Sequence, residues 1–213
     1  MNLQIAANIK RNIYRRLKLT PMKKVVGELI KRGEILGEMS ALELFGYTGE
    51  YVVKDYAWLV KSLEVWEIDP ACEKKLKKNL PGAKIVITDT YKQIKKTMKK
   101  YDLIVADANI YCGEHFEHFD LFPDILKISG DAAILILNVV FDAKNFRGHE
   151  NYREYLLARK KFYNLDRPEI IPVGLMLPTY DRLCRESGFE PVWYFTMKRS
   201  NLHYLVLKIR RIN

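Results

Sequence analysis

No stretch of this sequence is long and apolar enough to span a bilayer, because its longest apolar run, residues 132–140, falls well short of about 20 residues. The first residues lack the apolar core and small-residue cleavage site of a secretory signal peptide. Cysteine is scarce: Cys72, Cys112 and Cys184 are odd in number and far apart, which fits reduced thiols better than a disulfide framework. We therefore expect a cytoplasmic protein with reduced thiols and no membrane partner.

Acidic residues are in the minority. The 213 residues include 36 lysines and arginines against 26 aspartates and glutamates, a formal net charge of +10 at pH 7. Hydrophobic residues make up 48% of the chain, which is typical of one globular domain with a sizeable core. A basic excess attracts polyanions, so nucleic acid is a candidate partner.

Residues 1–38 concentrate basic side chains and are predicted to form a basic N-terminal helical arm, split at Thr20. Tyr14 lies among arginines, and arginine with aromatic rings suits phosphate contact and base stacking. The alternative is an amphipathic helix whose apolar face packs on the main domain. The basic residues of this segment are Lys10, Arg11, Arg15, Arg16, Lys18, Lys23, Lys24, Lys31 and Arg32.

From about residue 40, apolar runs alternate with segments of helical length, a pattern typical of βαβ units around a parallel sheet. The runs are continuous, as expected for strands covered by helices on both faces. Strands are predicted at 41–45, 63–68, 84–88, 102–107 and 132–140. Helices are predicted between them at 49–60, 70–79, 91–100 and 117–127.

The C-terminal part departs from this alternation. A helix at 179–187 is followed by strands at 190–197 and 202–209, and a connection that short joins antiparallel strands. The prediction is an α/β, Rossmann-like fold: a seven-stranded, mostly parallel sheet with helices on both faces and a C-terminal antiparallel hairpin. Residues 39–213 form this domain, with an insertion at about 141–177.

Acidic side chains stand at or near the ends of the first four predicted strands. The carboxyl ends of parallel strands meet at one edge of a sheet, and open α/β sheets bind ligands there. An acid after the second strand commonly binds ribose hydroxyls, and the glycine-bearing turn at 45–49 lets the chain pass close to a ligand. The acids are Glu43, Glu67, Asp69, Asp89 and Asp107.

With these acids and this turn, the chain resembles the class I S-adenosylmethionine-dependent methyltransferases over residues 39–140 and the hairpin. The resemblance implies that the turn holds the methionine part of the cofactor, that Glu67 rather than Asp69 binds the ribose, and that Asp89 faces the adenine. It also implies that Asp107 lies beside the transferred methyl group, with S-adenosylhomocysteine as product. The implied cofactor-binding residues are Glu43, Phe45, Gly46, Tyr47, Gly49, Glu67, Ile68, Asp89 and Asp107.

Two positions depart from the family pattern. Phe45 and Tyr47 stand where the family commonly has glycine, which keeps open the hypothesis of a catalytically silent binding module. The fourth-strand motif, residues 107–111, reads Asp-Ala-Asn-Ile-Tyr and does not identify the methylated atom. A dinucleotide dehydrogenase is disfavoured because the G-x-G-x-x-G fingerprint is missing and the terminal hairpin does not suit that fold.

The residues expected beside the reacting atoms are Asp107, Asn109, Tyr111 and His115. Asp107 would orient or deprotonate the acceptor, since direct methyl transfer depends mainly on alignment and proton removal. His115 would share a face with His118 if the segment were helical. Zinc sites usually have four ligands in recognisable pairs, so no metal is predicted.

The sequence therefore predicts a methyltransferase whose acceptor is nucleic acid, RNA before DNA. The alternative is a small-molecule methyltransferase in which residues 141–177 form a lid. The aromatic residues that would line its pocket are Phe141, Phe146, Tyr152 and Tyr155. The two differ in salt dependence, because only phosphate-dominated binding weakens steeply with added salt.

Overall fold

The computed structural model describes residues 20–112 and 115–212 and contains a seven-stranded sheet, which confirms the predicted fold class. Its strands are β1 Ser40–Glu43, β2 Ser62–Glu67, β3 Lys84–Ile87, β4 Tyr101–Ala106, β7 Ser129–Val139, β8 Phe189–Arg199 and β9 Leu202–Arg211. They lie in the order β3-β2-β1-β4-β7-β9-β8. A separate two-stranded hairpin is formed by β5 Tyr111–Cys112 and β6 His115–Phe116.

The sheet changes direction at its C-terminal side. Strands β1 to β4 and β7 pair in parallel, whereas β9 pairs antiparallel with both β7 and β8. Ser200 adopts a left-handed φ of 52° in the tight turn between β8 and β9. The predicted terminal hairpin is therefore confirmed, and its turn lies at the carboxyl edge of the parallel strands.

Six helices accompany the strands within the described residues. They are α1 Pro21–Lys31, α2 Glu73–Asn79, α3 Thr90–Gln93, α4 Phe122–Ile128, α5 Tyr152–Tyr163 and α6 Val173–Glu186. In this part of the chain, no helix has the length and apolarity needed to cross a bilayer.

Three of the predicted helices are wrong over part or all of their length. Residues 49–60 form turns around a single 3₁₀ segment, Val53–Asp55, because Tyr47 and Gly49 both have positive φ angles that redirect the chain. The helix at 91–100 shrinks to α3, since its lysines repeat at positions where like charges repel. The helix at 117–127 starts only at α4, because Glu117 has a left-handed φ of 47°.

Helix α1 is an integral part of the described fold. Thr20 caps it by accepting a hydrogen bond from the Lys23 amide at 3.1 Å, and Pro21 occupies the first helical position. Its apolar face joins the core on one side of the sheet, through Met22, Val25, Val26 and Leu29. Residues 1–19 of the predicted arm lie outside the described residues.

The opposite face of the sheet is covered by α4, α5 and α6, and an ion pair is buried among them. The Arg159 guanidinium on α5 lies 3.0 Å from the Glu117 carboxylate, and both side chains are almost fully buried. The Tyr155 hydroxyl also donates to Glu117, at 2.6 Å. Burial raises the pKa of Glu117 although Arg159 opposes the shift. This contact joins the 141–177 insertion to the turn after β6.

We predict that Arg159→Leu lowers the free energy of unfolding by about 3–5 kcal/mol, because it leaves the Glu117 carboxylate buried without a counter-ion. Urea denaturation monitored by circular dichroism measures the change. Arg182→Leu removes an exposed partner of Glu186 and should cost less than about 1 kcal/mol. Equal effects of the two substitutions would contradict a stabilising role for the buried pair.

Candidate functional site

The carboxyl edge of the parallel strands borders three adjoining cavities. The central cavity, about 580 Å³, lies beyond the ends of β1, β2 and β4. The β3-side cavity and the hairpin-side cavity are each about 400 Å³. Every residue predicted for the site lines at least one of the three. The central cavity takes Glu43, Phe45, Gly46, Tyr47, Gly49, Glu67, Ile68, Asp107 and Asn109, and the β3-side cavity adds Asp89, Tyr111 and His115.

The turn after β1 is held by close packing and by Glu67. A Cβ atom on Gly46 would lie 2.3 Å from the Val65 side chain, so only glycine fits where this turn crosses β2. Tyr47 tolerates its left-handed φ of 46° with an exposed side chain, and its amide donates to Glu67 Oε2 at 2.5 Å. The second Glu67 oxygen accepts from the Asp69 amide at 2.9 Å.

Glu67 and Asp69 take different positions at the end of β2. Glu67 is buried and lines both the central and the β3-side cavity. The Asp69 carboxylate instead accepts from the Ala71 amide at 2.9 Å and caps the 3₁₀ segment Pro70–Cys72. Of the two candidate ribose ligands, only Glu67 borders these cavities.

Glu43 is a fully buried carboxylate at the end of β1. Its Oε2 accepts from the Tyr56 hydroxyl at 2.8 Å, whereas its Oε1 has no hydrogen-bond partner among the described residues. Burial, reinforced by the charge of Asp107, raises the pKa of Glu43 well above its usual value. The site therefore contains a buried acceptor atom that is suited to a hydrogen-bond donor or a cation.

Asp107, just after β4, accepts three hydrogen bonds. The Arg199 guanidinium and the Asn138 amide both donate to its Oδ1, and the Tyr204 hydroxyl donates to its Oδ2 at 3.2 Å. Arg199 is the last residue of β8, and its contact with Asp107 is an ion pair. These donors fix the carboxylate and occupy its oxygens, which suits a positioning role better than proton abstraction.

The β3-side cavity is polar at one end and aromatic at the other. Asp89 caps α3 by accepting from the Tyr91 amide at 2.9 Å. Burial opposes ionisation of Asp89, but the hydrogen bonds and charge of Lys92 prevail and lower its pKa. His115 stacks on Tyr91 with ring centroids 3.7 Å apart and contacts Asp120 at 2.8 Å. A flat ligand would meet an acceptor and stacked rings in this cavity.

The hairpin-side cavity connects the strand edge to the insertion. Asp107 and Asn109 line it from the chain just after β4, Tyr111 lines it from β5, and Phe146 and His149 line it from the insertion. The His149 ring lies parallel to the Tyr111 ring at 3.5 Å. Burial raises the pKa of Tyr111, so its hydroxyl is protonated at neutral pH.

The segment that holds His115 and His118 is not helical, so the condition under which they would share a face is not met. His115 belongs to β6, whereas His118 lies in the following turn, fully buried, with Nε2 2.8 Å from the Tyr180 hydroxyl. Burial lowers the pKa of His118 to about 3, which keeps its ring neutral. Within the described residues, no group of three or more histidine, cysteine or acidic side chains is placed to hold a metal ion.

The aromatic residues proposed for a lid pocket are dispersed. Phe146 lines the hairpin-side cavity, but Phe141 stacks on His203 at 3.9 Å. Tyr155 is buried against Glu117, and Tyr152 packs partly buried on the core. Of the four residues proposed for a lid pocket, Phe146 is the one that lines the hairpin-side cavity.

Sequence reasoning missed the partners that surround the acids. These partners come from other parts of the chain. Tyr56 donates to Glu43, whereas Asp107 accepts from Asn138, Arg199 and Tyr204. The one available signal was the position of Arg199, since the tip of a terminal hairpin meets the edge at which β4 ends.

No family profile and no curated protein matches the sequence. Among solved structures, Trm1 from Pyrococcus horikoshii in complex with S-adenosyl-L-methionine is similar with a TM-score of 0.66 and 13% identity, over 92% of this chain and 56% of that one.

Two further similar structures differ in their acceptors. A candidate RNA methyltransferase from P. horikoshii has a TM-score of 0.55 and 14% identity, over 90% of this chain and 84% of that one. Magnesium protoporphyrin IX methyltransferase from Synechocystis, with bound SAH, has a TM-score of 0.55 and 11% identity, over 89% and 81%. The chain has the fold of class I methyltransferases.

We predict that Glu43→Gln becomes progressively more stable than the natural chain as pH rises above about 4.5. Below this value Glu43 is neutral whether the chain is folded or unfolded. Above it the unfolded chain loses the proton while burial opposes its loss from the folded chain, so stability falls by about 1.4 kcal/mol per unit of pKa separation.

Urea denaturation at pH 4 to 8 measures this difference. Glutamine retains an acceptor for the Tyr56 hydroxyl, so the fold should persist. Glu150→Gln, at an exposed position, is the control and should show no pH-dependent gain. A flat difference between Glu43→Gln and the natural chain would contradict the burial argument.

Proposed function

We propose that this chain is an S-adenosylmethionine-dependent methyltransferase. The observation that carries the proposal is the buried Glu43 Oε1, which has no partner among the described residues and belongs to a residue lining the central cavity. A buried unpaired carboxylate oxygen is costly unless a ligand completes it. The similar structures that contain S-adenosylmethionine or SAH support this choice of ligand.

The residues present fit that cofactor. Glu43 would face its ammonium group, Glu67 its ribose hydroxyls and Asp89 its adenine, while Gly46 lets the turn pass close to β2 without a side chain. The bound cofactor supplies a methyl group on a sulfonium sulfur. Tyr47 replaces a family glycine, but its exposed side chain leaves the cavity open.

In this proposal the chain contributes mainly alignment. Asp107 is held by three donors at the junction of the central and hairpin-side cavities, where an acceptor would approach. Asn109 and Tyr111 line the acceptor side, and His115 lies beyond Tyr111 at the β3-side cavity. Holding reacting groups in a fixed geometry lowers the barrier to direct displacement.

We predict that the purified protein binds S-adenosylmethionine and S-adenosylhomocysteine in isothermal titration calorimetry, and that Glu67→Gln weakens both by roughly 10- to 100-fold. The amide has the size of the carboxylate but lacks its charge and offers one acceptor oxygen instead of two, and hydrogen bonds to a charged group are worth about 1.5–3 kcal/mol.

Asp69→Asn is the matched control, since asparagine can still cap the following 3₁₀ segment and Asp69 lines neither cavity. Its affinity should stay within about twofold of the natural chain, as expected for a near-neutral substitution. Absence of binding by a folded protein would contradict the enzyme and favour the silent binding module.

We further propose nucleic acid as the acceptor, RNA before DNA. Residues 1–19 contain five bases and no acid, which is half of the net charge of +10. They lead into Thr20, whose hydroxyl donates to Asp55, close to Val52 and Val53 in the wall of the central cavity. Thr20 is thus in contact with the segment that forms this wall, and the five bases precede it in the sequence. The similarity to a candidate RNA methyltransferase supports RNA.

A small-molecule acceptor is the second candidate. It is favoured by the size of the hairpin-side cavity, about 400 Å³, and by Phe146 in its wall. The similarity to magnesium protoporphyrin IX methyltransferase supports it as well.

Salt dependence separates the two acceptors. We predict that replacing the five bases of residues 1–19 by glutamine reduces the slope of log affinity against log salt for single-stranded RNA by roughly 3–4, since each phosphate contact contributes about 0.7. Fluorescence anisotropy with labelled RNA measures the slope. The substituted residues are Lys10, Arg11, Arg15, Arg16 and Lys18.

The control replaces five exposed lysines elsewhere, with the same loss of charge, and should change the slope by less than about 1. These are Lys74, Lys75, Lys78, Lys95 and Lys96. Equal slopes in the two variants would exclude a specific role for the N-terminal bases, and no RNA binding by the natural chain would favour a small-molecule acceptor.

A further inference from the structure

Arg199 lies between the central cavity and the hairpin-side cavity. It ends β8 at the hairpin and lines both the central and the hairpin-side cavity. Its Nη1 donates to Asp107 Oδ1 and, at 3.2 Å, to Asn138 Oδ1. Its guanidinium carbon lies 5.3 Å from the centre of the Tyr204 ring. These contacts hold the side chain at the edge where β4 ends.

The hydrogen bonds that Arg199 makes to the described residues come from one end of its guanidinium. An arginine has five N–H donors, and all hydrogen bonds of Arg199 within the described residues come from Nη1. The donors on Nε and Nη2 therefore have no partner in this part of the chain, and the side chain is 32% exposed. A planar pair of donors of this kind matches a carboxylate.

The same central cavity also has, among its lining residues, an acceptor that lacks a donor. Glu43 lines it as well, and Glu43 Oε1 lacks a donor among the described residues. Arg199 is close enough for its charge to act on Glu43. One cavity wall thus offers an acceptor for a cation and, near it, donors for an anion.

A single small group satisfies both requirements. The amino-acid end of S-adenosylmethionine carries an ammonium and a carboxylate on one carbon, which matches an unpaired glutamate oxygen beside an unpaired arginine edge. We propose that Arg199 binds the α-carboxylate of the cofactor while Glu43 faces its ammonium. This inference rests on the proposed function and adds to it a recognition residue from the C-terminal hairpin.

Asp107 has a supporting part in this arrangement. Its Oδ1 holds Nη1 of Arg199, with Asn138 as the second acceptor, so the free edge of the guanidinium stays oriented. An arginine that instead served an anionic acceptor would make its contact from the hairpin-side cavity, and its loss would leave cofactor affinity unchanged. Binding measurements distinguish the two roles.

The test is a thermodynamic cycle that combines the substitution Arg199→Met with removal of the carboxylate from the ligand. S-adenosylhomocysteine is compared with its decarboxylated analogue, S-adenosyl-3-thiopropylamine, in calorimetric titrations of the natural chain and of Arg199→Met. The natural chain should bind S-adenosylhomocysteine about 10- to 100-fold more tightly than the analogue, since a charged hydrogen-bonded pair is lost. Arg199→Met should bind both within about twofold of each other, because the cycle removes the coupling.

Two further variants serve as controls. Arg199→Lys keeps a charge opposite Asp107 and should retain part of the discrimination even if Arg199→Met folds poorly. Lys198→Met removes the neighbouring exposed charge, lines none of the three cavities and should keep the full ratio of the natural chain.

Two results would overturn the inference. The natural chain could bind the two ligands equally, or Arg199→Met could keep the full ratio, as it would if it lost both ligands by the same factor through a structural role. If the natural chain binds neither ligand, the proposed function fails together with the inference. If it binds both without discrimination, the inference alone fails.

Discussion

The parallel pairing of β1 with β2 and β4 is the constraint on which the site depends. It brings Glu43, Glu67 and Asp107 to one edge, although 64 positions separate the first from the last. Three acids close together on apolar strands are unfavourable in isolation, because burial and mutual repulsion both oppose their charges. The groups around this edge offset the unfavourable energy differently for each acid.

Glu67 is stabilised by the backbone, through the amides of Tyr47 and Asp69, and this contact also shapes the turn that it borders. Asp107 is stabilised by a cation, Arg199. Glu43 accepts the Tyr56 hydroxyl, but burial and the charge of Asp107 prevail and raise its pKa well above the ordinary value. Because its Oε1 has no hydrogen-bond partner among the described residues, Glu43 is the acid that a cationic ligand would stabilise most.

Much of the architecture could be predicted because it follows from local pattern. Continuous apolar runs located all seven strands of the large sheet, and the short connection after residue 197 identified the hairpin. The prediction of a helix at 49–60 was wrong because the positive φ of Tyr47 cannot be recognised from the sequence pattern. The contact of Arg199 with Asp107 spans 92 positions, and no periodicity reports a contact at that distance.

The antiparallel hairpin gives this edge something that its parallel strands do not. Each parallel strand contributes to the site only through the residues at its own carboxyl end, and here those residues are mostly acidic. Because β9 runs in the opposite direction, the β8–β9 turn lies at the same edge and brings Arg199 and Tyr204 onto Asp107. A cation held by regular strands is more rigid than one on a loop, which favours recognition of a fixed carboxylate geometry.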